Sequence, residues 1–170
     1  SGELPYNWMY DGRVNFIMDN LLAEGKAEPM LIAIVNNQVI HRNHPQHADL
    51  TCDIMARESR EAIIPFIDSH YKTIKKRSAR AVTGLSMGGG HTFGIARLYP
   101  ETFDYYGLQS AACRMPKDLV PNTPNSKLYE DFDGQMARLF ASKPKLFWIA
   151  IGKDDFLMQM NTELRQYLDA

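Results

Sequence analysis

A chain of 170 residues is long enough for one domain with a sizeable core, and its 45% hydrophobic and 23% charged residues are typical of a globular protein. The formal net charge is −1, from 19 basic and 20 acidic residues, so no electrostatic feature favours a nucleic acid or an anionic membrane as partner. The apolar runs are also far too short to span a bilayer.

The first half of the chain predicts two helices with a strand between them. Apolar residues repeat at helical spacing over 14–22, and six consecutive apolar residues over 30–35 are typical of a strand covered on both faces. The polar segment 41–47 is predicted to be a loop. Helical spacing resumes from Asp49, and Pro65 is expected to bend or divide this long helix.

The second half alternates short apolar runs with amphipathic segments. The predicted elements are strands over 79–85, 105–110 and 146–151 and helices over 88–98, 134–141 and 160–168. Residues 115–131, rich in Pro and Asn, are predicted to be irregular. This alternation predicts an α/β fold with a mostly parallel sheet covered by helices on both faces. Ligands of such sheets bind at the carboxyl ends of the strands.

A serine between glycines directly follows the predicted strand 79–85. The sequence GLSMG over 84–88 fits the pattern G-x-S-x-G, in which the serine occupies a strained turn between a strand and a helix. Glycines flank such a serine because neighbouring backbone passes too close for a Cβ atom. The pattern predicts Ser86 as a nucleophile, with the N–H of Met87 facing the oxyanion of the substrate. The alternative is a glycine-rich turn with a solvent-facing serine.

The same residues resemble a known family. The sequence GLSMGGG over 84–90 is similar to the nucleophile turn of the putative-esterase, or feruloyl-esterase-like, group of α/β-hydrolases. Residues 11–21 resemble the helix after the family's oxyanion loop, and residues 61–67 resemble another of its helices. The resemblance implies a single three-layer α/β-hydrolase domain over 1–170. It also implies a serine carboxylic-ester hydrolase, without a cofactor, that acts through an acyl-enzyme on feruloyl or acetyl esters of plant polysaccharide such as xylan.

The catalytic acid of an α/β-hydrolase follows a strand downstream of the nucleophile. Here the predicted strand 146–151 is followed by the sequence GKDDFL, which resembles the family's Gly-x-x-Asp-x-Leu turn and so implies Asp155 as the acid. Its role would be to orient a histidine and to stabilise the charged imidazole. Asp154 is the second choice, and both aspartates could instead cap the following helix.

No histidine follows Asp155, although the family has its catalytic histidine in a later Gly-Gly-His segment. The sequence is therefore expected to be an incomplete copy of the domain, without its N-terminal strands and its histidine segment. His41, His44 and His47 invite a catalytic or metal-binding role, but their spacing is typical of a loop, and no metal site is predicted. His91, in the helix after Ser86, is expected to pack or to form a hydrogen bond.

The sequence is compatible with two functions. One is a serine esterase whose histidine lies outside these residues, and the other is an inactive protein of the same fold that binds an ester around Ser86. In both, the partner is a small-molecule or polysaccharide ester, and exposed sheet edges would favour a homo-oligomer. The resemblance favours an extracytoplasmic location. Cys52 and Cys113 are expected to be free buried thiols.

Overall fold

The computed structural model describes residues 5–41, 43–45, 47–123 and 127–170, with side chains for all of these except 48–50. The chain divides into two compact units, Ser1–Asn37 and Gln38–Ala170, which are described separately below. The single domain predicted over 1–170 stays a prediction. None of the helices in the described ranges is long and apolar enough to cross a membrane.

The first unit contains two helices, α1 (Asn7–Tyr10) and α2 (Val14–Ala23). The predicted helix over 14–22 is therefore confirmed. Gly25 follows the end of α2 with a φ of 64°, and the N–H of Lys26 donates to the carbonyl of Leu21 at 2.8 Å. This pattern is a common helix ending, because glycine adopts a positive φ without steric cost.

The predicted strand over 30–35 is wrong. Residues 28–39 have no regular secondary structure, and the side chains of Met30, Leu31 and Ile32 are 44–58% exposed. A strand persists only where its backbone N–H and C=O groups meet those of a neighbouring strand. No pairing for these residues occurs within the described part of the chain. An apolar run by itself therefore does not produce a strand.

The second unit begins with a long, divided helix. The first part, α3 (His47–Glu58), continues through a π-helical segment (Ser59–Ile63) into α4 (Ile64–His70). It starts two residues before the predicted start at Asp49. Pro65 lies in the first turn of α4, so the expected division at this proline is confirmed. The proline has no N–H to donate and would clash with the preceding turn of an α-helix, which the wider π turn relieves.

A parallel sheet forms the centre of the second unit. Its elements are β1 (Ala81–Leu85), α5 (Met87–Leu98), β2 (Tyr105–Gln109), α6 (Phe132–Ala141), β3 (Leu146–Ala150) and α7 (Met158–Asp169). The strand order is β1-β2-β3, and both pairings are parallel. Leu85 pairs with Gln109, which pairs with Ala150, so the three strands end level. The predicted α/β class and parallel sheet are confirmed.

The core lies between one face of this sheet and helices α5, α6 and α7. Its most buried members, each at most 1% exposed, include Phe93, Tyr106, Leu108, Leu139 and Leu164. On the other face, Leu85, Leu146 and Trp148 are 48–55% exposed. Cys52 and Cys113 are free, and burial raises the pKa of the Cys113 thiol to about 11.

Candidate active site

Ser86 lies in the turn between β1 and α5, at the carboxyl end of the sheet. Its backbone has a φ of 57° and a ψ of −116°, a conformation that costs a non-glycine residue about 1–3 kcal/mol. The N–H of Ser86 donates to the carbonyl of Gln109 at 2.9 Å, and its carbonyl accepts from Gly90 at 3.1 Å and Ala112 at 3.0 Å. The surrounding backbone therefore holds Ser86 in a strained conformation.

Two glycines make this conformation possible by leaving room for neighbouring backbone. A Cβ atom on Gly84 would lie 2.3 Å from the carbonyl carbon and oxygen of Gly88. A Cβ atom on Gly89 would lie 2.7 Å from the Cβ of Ala111. The close backbone approach that the glycine spacing predicts is confirmed. Residues 84–88 are called the Ser86 turn below.

Met87 is the first residue of α5 and is half-buried. As the first helical residue it has an N–H without an acceptor inside the helix. The positive end of the helix dipole lies at the same place, so negative charge is favoured next to Ser86. Met87 thus occupies the position at which the sequence predicts an oxyanion donor.

Asp155 lies beyond the end of β3, in the segment 152–157, called the Asp155 turn below. Its carboxylate Oδ1 accepts from the N–H of Leu157 at 2.8 Å, and its carbonyl accepts from the N–H of Met158 at 3.0 Å. Asp155 therefore stabilises the turn that leads into α7 but does not cap that helix, whose N-cap residue is Leu157 and has no side-chain cap bond. A carboxylate has further lone pairs, so this bond leaves acceptor capacity for a second donor.

The two aspartates of this turn differ in exposure. Asp155 is half-buried, whereas the side chain of Asp154 is 88% exposed and lies 3.8 Å from Nζ of Lys153. A carboxylate that orients an imidazole works best when it is shielded from water, because electrostatic interactions are stronger there. The structure therefore favours Asp155 over Asp154 as the candidate acid.

The segment after β2 lies between these two turns, because β2 is the central strand. Ser110 has a φ of 40°, and its N–H donates to the carbonyl of Ala150 at 2.8 Å. The carbonyl of Ala111 accepts from Nδ2 of Asn161 at 2.8 Å. The sequence reasoning missed Asn161. Its signal was a polar residue on the same helical face as Leu164, where an apolar residue is expected.

The histidines that the structure describes form no hydrogen bond with the Ser86 side chain. Within these residues no hydrogen bond reaches the Ser86 hydroxyl. His91 is 5% exposed, and its Nε2 lies 3.3 Å from Oγ1 of Thr51, so its expected packing role is confirmed. Burial, together with the smaller effect of the charge of His47, lowers the pKa of His91 to about 4.

His41, His44 and His47 lie at and just before the start of α3. The backbone N–H of His47 donates to the carbonyl of His44 at 2.9 Å, and Nδ1 of His41 accepts from the N–H of Asn43 at 3.2 Å. Among the described residues, no group of three or more His, Cys, Asp or Glu side chains is placed to hold a metal ion.

A parallel sheet whose carboxyl end presents a strained serine turn and an aspartate turn is the arrangement of the α/β-hydrolase class. The chain belongs to the esterase family described as "putative esterase", whose model matches residues 6–167. The family resemblance identified from the sequence is confirmed.

Two known proteins are similar to this chain. A curated relative, an endo-1,4-beta-xylanase/feruloyl esterase of Xylanibacter ruminicola, is 32% identical over 118 residues, which are 69% of this chain and 16% of that protein. A solved CE1 ferulic acid esterase of the anaerobic fungus Anaeromyces mucronatus superposes with a TM-score of 0.52 at 17% identity. That match covers 81% of this chain and 64% of the fungal chain. The chain thus spans less than two thirds of either relative, and the second similarity establishes the fold.

Proposed function

We propose that this chain carries the nucleophile and the acid of a serine carboxylic-ester hydrolase. The observation that carries the proposal is the strained conformation of Ser86 at the start of α5. Such strain costs free energy and persists where the surrounding structure enforces it, most often at functional sites. A solvent-facing serine in an ordinary turn would not require three backbone hydrogen bonds to hold it in this conformation.

The proposed reaction begins with attack of Ser86 Oγ on the carbonyl carbon of an ester. The carbonyl oxygen becomes an oxyanion, to which the N–H of Met87 donates a hydrogen bond at the positive end of α5. The tetrahedral intermediate collapses, the C–O bond to the alcohol breaks, and the alcohol leaves with a proton. Water then attacks the acyl-enzyme in the same way, which releases the acid and restores the Ser86 hydroxyl.

A histidine must take the proton of Ser86 and deliver it to the leaving alcohol. We assign this role to a histidine outside the 170 residues, since His91 is hydrogen-bonded to Thr51 and no described histidine is hydrogen-bonded to the Ser86 hydroxyl. In the proposal, Asp155 accepts a hydrogen bond from the other imidazole N–H. It does so with the carboxylate lone pairs that the hydrogen bond from Leu157 does not use.

The proposed substrates are feruloyl or acetyl esters of plant polysaccharide. The support for this class comes from the two relatives, a xylanase/feruloyl esterase and a ferulic acid esterase. Neither match covers the whole relative, so the substrate class rests on similarity and not on contacts in this chain.

An inactive ester-binding protein of the same fold is the second candidate. It is favoured by one observation, the lack of a base hydrogen-bonded to the Ser86 hydroxyl among the described residues. Such a protein would bind the ester next to Ser86 without forming an acyl-enzyme.

Labelling by a fluorophosphonate distinguishes the two candidates. The full-length protein should label at Ser86 and hydrolyse methyl ferulate, and the Ser86→Ala variant should lose the label and on the order of a millionfold in kcat. Ser69→Ala is the matched control, since its hydroxyl is exposed on α4 and bonds the carbonyl of Phe66. Binding of methyl ferulate by a protein that neither labels nor hydrolyses it would establish the second candidate instead.

A further inference from the structure

Asn161 is a buried polar residue on the apolar face of α7. It is 2% exposed and lies one turn before Leu164, which is fully buried. Its Nδ2 donates to the carbonyl of Ala111 at 2.8 Å and to the carbonyl of Leu157 at 3.0 Å. Its Oδ1 is buried and has no partner within the described residues. Since buried amides are costly unless both ends are satisfied, this position requires an explanation.

The first bond connects α7 to the backbone behind the Ser86 turn. Ala111 is fully buried, and its Cβ packs so close to Gly89 that a Cβ there would lie only 2.7 Å away. The next residue, Ala112, donates its N–H to the carbonyl of Ser86 at 3.0 Å. A displacement of Ala111 would therefore be transmitted to Ser86 through a single peptide unit.

The second bond connects the same amide to the Asp155 turn. Its acceptor is the carbonyl of Leu157, and the N–H of Leu157 donates to Oδ1 of Asp155 at 2.8 Å. One side-chain amide group thus touches both the segment that holds Ser86 and the residue that holds the Asp155 carboxylate. The strands β1 and β3 have no direct pairing, because β2 lies between them.

We propose that Asn161 is a positioning residue that sets the separation of Ser86 from Asp155. The inference rests on the proposed function, in which these two residues act through one histidine. A histidine that bridges them requires both partners at hydrogen-bond distance at once, and a misplacement of about 1 Å costs on the order of 100-fold in rate. If Asn161 only satisfied the Ala111 carbonyl, its loss would lower stability without a specific effect on kcat.

The test compares Asn161→Leu with Leu164→Ala in the full-length protein. Asn161→Leu keeps the side-chain size and removes the donor, whereas Leu164→Ala loosens the same helix without touching either turn. We expect Asn161→Leu to lower kcat for methyl ferulate about 100-fold, with KM changed less than about threefold, and to slow fluorophosphonate labelling equally. Leu164→Ala should lower Tm by at least as much and leave kcat within about threefold of the wild type.

Equal losses of kcat in the two variants, or an unchanged kcat in Asn161→Leu, would overturn the inference. Asn161→Ser, whose hydroxyl is too short to reach both carbonyls, supplies the same comparison if Asn161→Leu does not fold. The wild type and Ser86→Ala are assayed in the same series. Without Ser86-dependent turnover in the wild type, the proposed function fails and the inference with it. With that turnover and unaffected Asn161 variants, the inference alone fails.

Discussion

The Ser86 turn and the Asp155 turn follow strands of the same sheet, but their conformations are held in different ways. At the Ser86 turn, backbone bonds to Gln109 and Ala112 and a close glycine contact fix a strained residue. At the Asp155 turn, the side chains of Asp154 and Phe156 are nearly fully exposed, and a Cβ on Gly152 would have nothing within 4 Å.

This difference shows which part of the candidate site is fixed by backbone. The glycines of the Ser86 turn permit its strained conformation, and backbone of distant residues, Gln109 and Ala112, holds it. The Asp155 turn has room to move, so its position depends on side-chain hydrogen bonds, those of Leu157 with Asp155 and of Asn161 with Leu157. We expect a substitution at a glycine of the Ser86 turn to affect folding, and a substitution of Asp155 to affect chemistry.

After Ser86→Ala, the largest expected effect is that of Asp155→Asn on turnover. The amide keeps the shape of the side chain and can still accept from Leu157, but it cannot hold a charged imidazole in the required orientation. We predict a loss of about 10⁴-fold in kcat for methyl ferulate, with stability little changed. Asp154→Asn is the matched control, and its kcat should equal that of the wild type. A larger loss in Asp154→Asn would reassign the acid.

Gly84→Ala should have the next largest effect, on stability. The added methyl would meet backbone of Gly88 at 2.3 Å, and backbone cannot move aside as a side chain can. We predict a loss of more than about 3 kcal/mol in the free energy of unfolding, measured by urea denaturation. Gly152→Ala, with open space around the added methyl, should stay within about 0.5 kcal/mol. Similar losses at both glycines would remove the contrast between the two turns.

His91 should make the helix after Ser86 sensitive to acid. Burial lowers its folded-state pKa from 6.5 to about 4, so below pH 6.5 the unfolded chain binds a proton that the folded chain does not. This contribution to stability is complete above pH 6.5, decreases as pH falls, and is lost by pH 4. Its full size is roughly 3 kcal/mol, since one pKa unit corresponds to about 1.4 kcal/mol.

The measurement compares urea midpoints at pH 7.5, 5.5 and 4.5 for the wild type and His91→Gln. The variant should show a flatter dependence over this range, because its amide does not titrate. His70→Gln is the control, since His70 is exposed on α4. An unchanged slope in His91→Gln would mean that other groups dominate the acid response.

The predictions from the sequence were most accurate where neighbouring residues, such as glycines and prolines, determine the backbone conformation. The strand, turn and helix around Ser86 were predicted because the glycine spacing and the apolar run before it admit few alternatives. The end of α2 at Gly25 and the division of the long helix at Pro65 have equally local causes. The residues of the proposed acid and oxyanion positions were also found in the sequence. Their roles are predictions, and Asp155→Asn tests that of the acid.

The sequence by itself thus determined the α/β class, the Ser86 turn and the positions of the candidate residues along the chain. Tertiary structure alone decided that residues 30–35 form no strand, since strand formation requires a partner that composition does not reveal. It also decided the buried hydrogen bond of Asn161, whose acceptor Ala111 is 50 residues away. A local sequence pattern indicates which conformations a segment can adopt. A buried hydrogen bond between distant residues forms only when the chain has folded and brought them together.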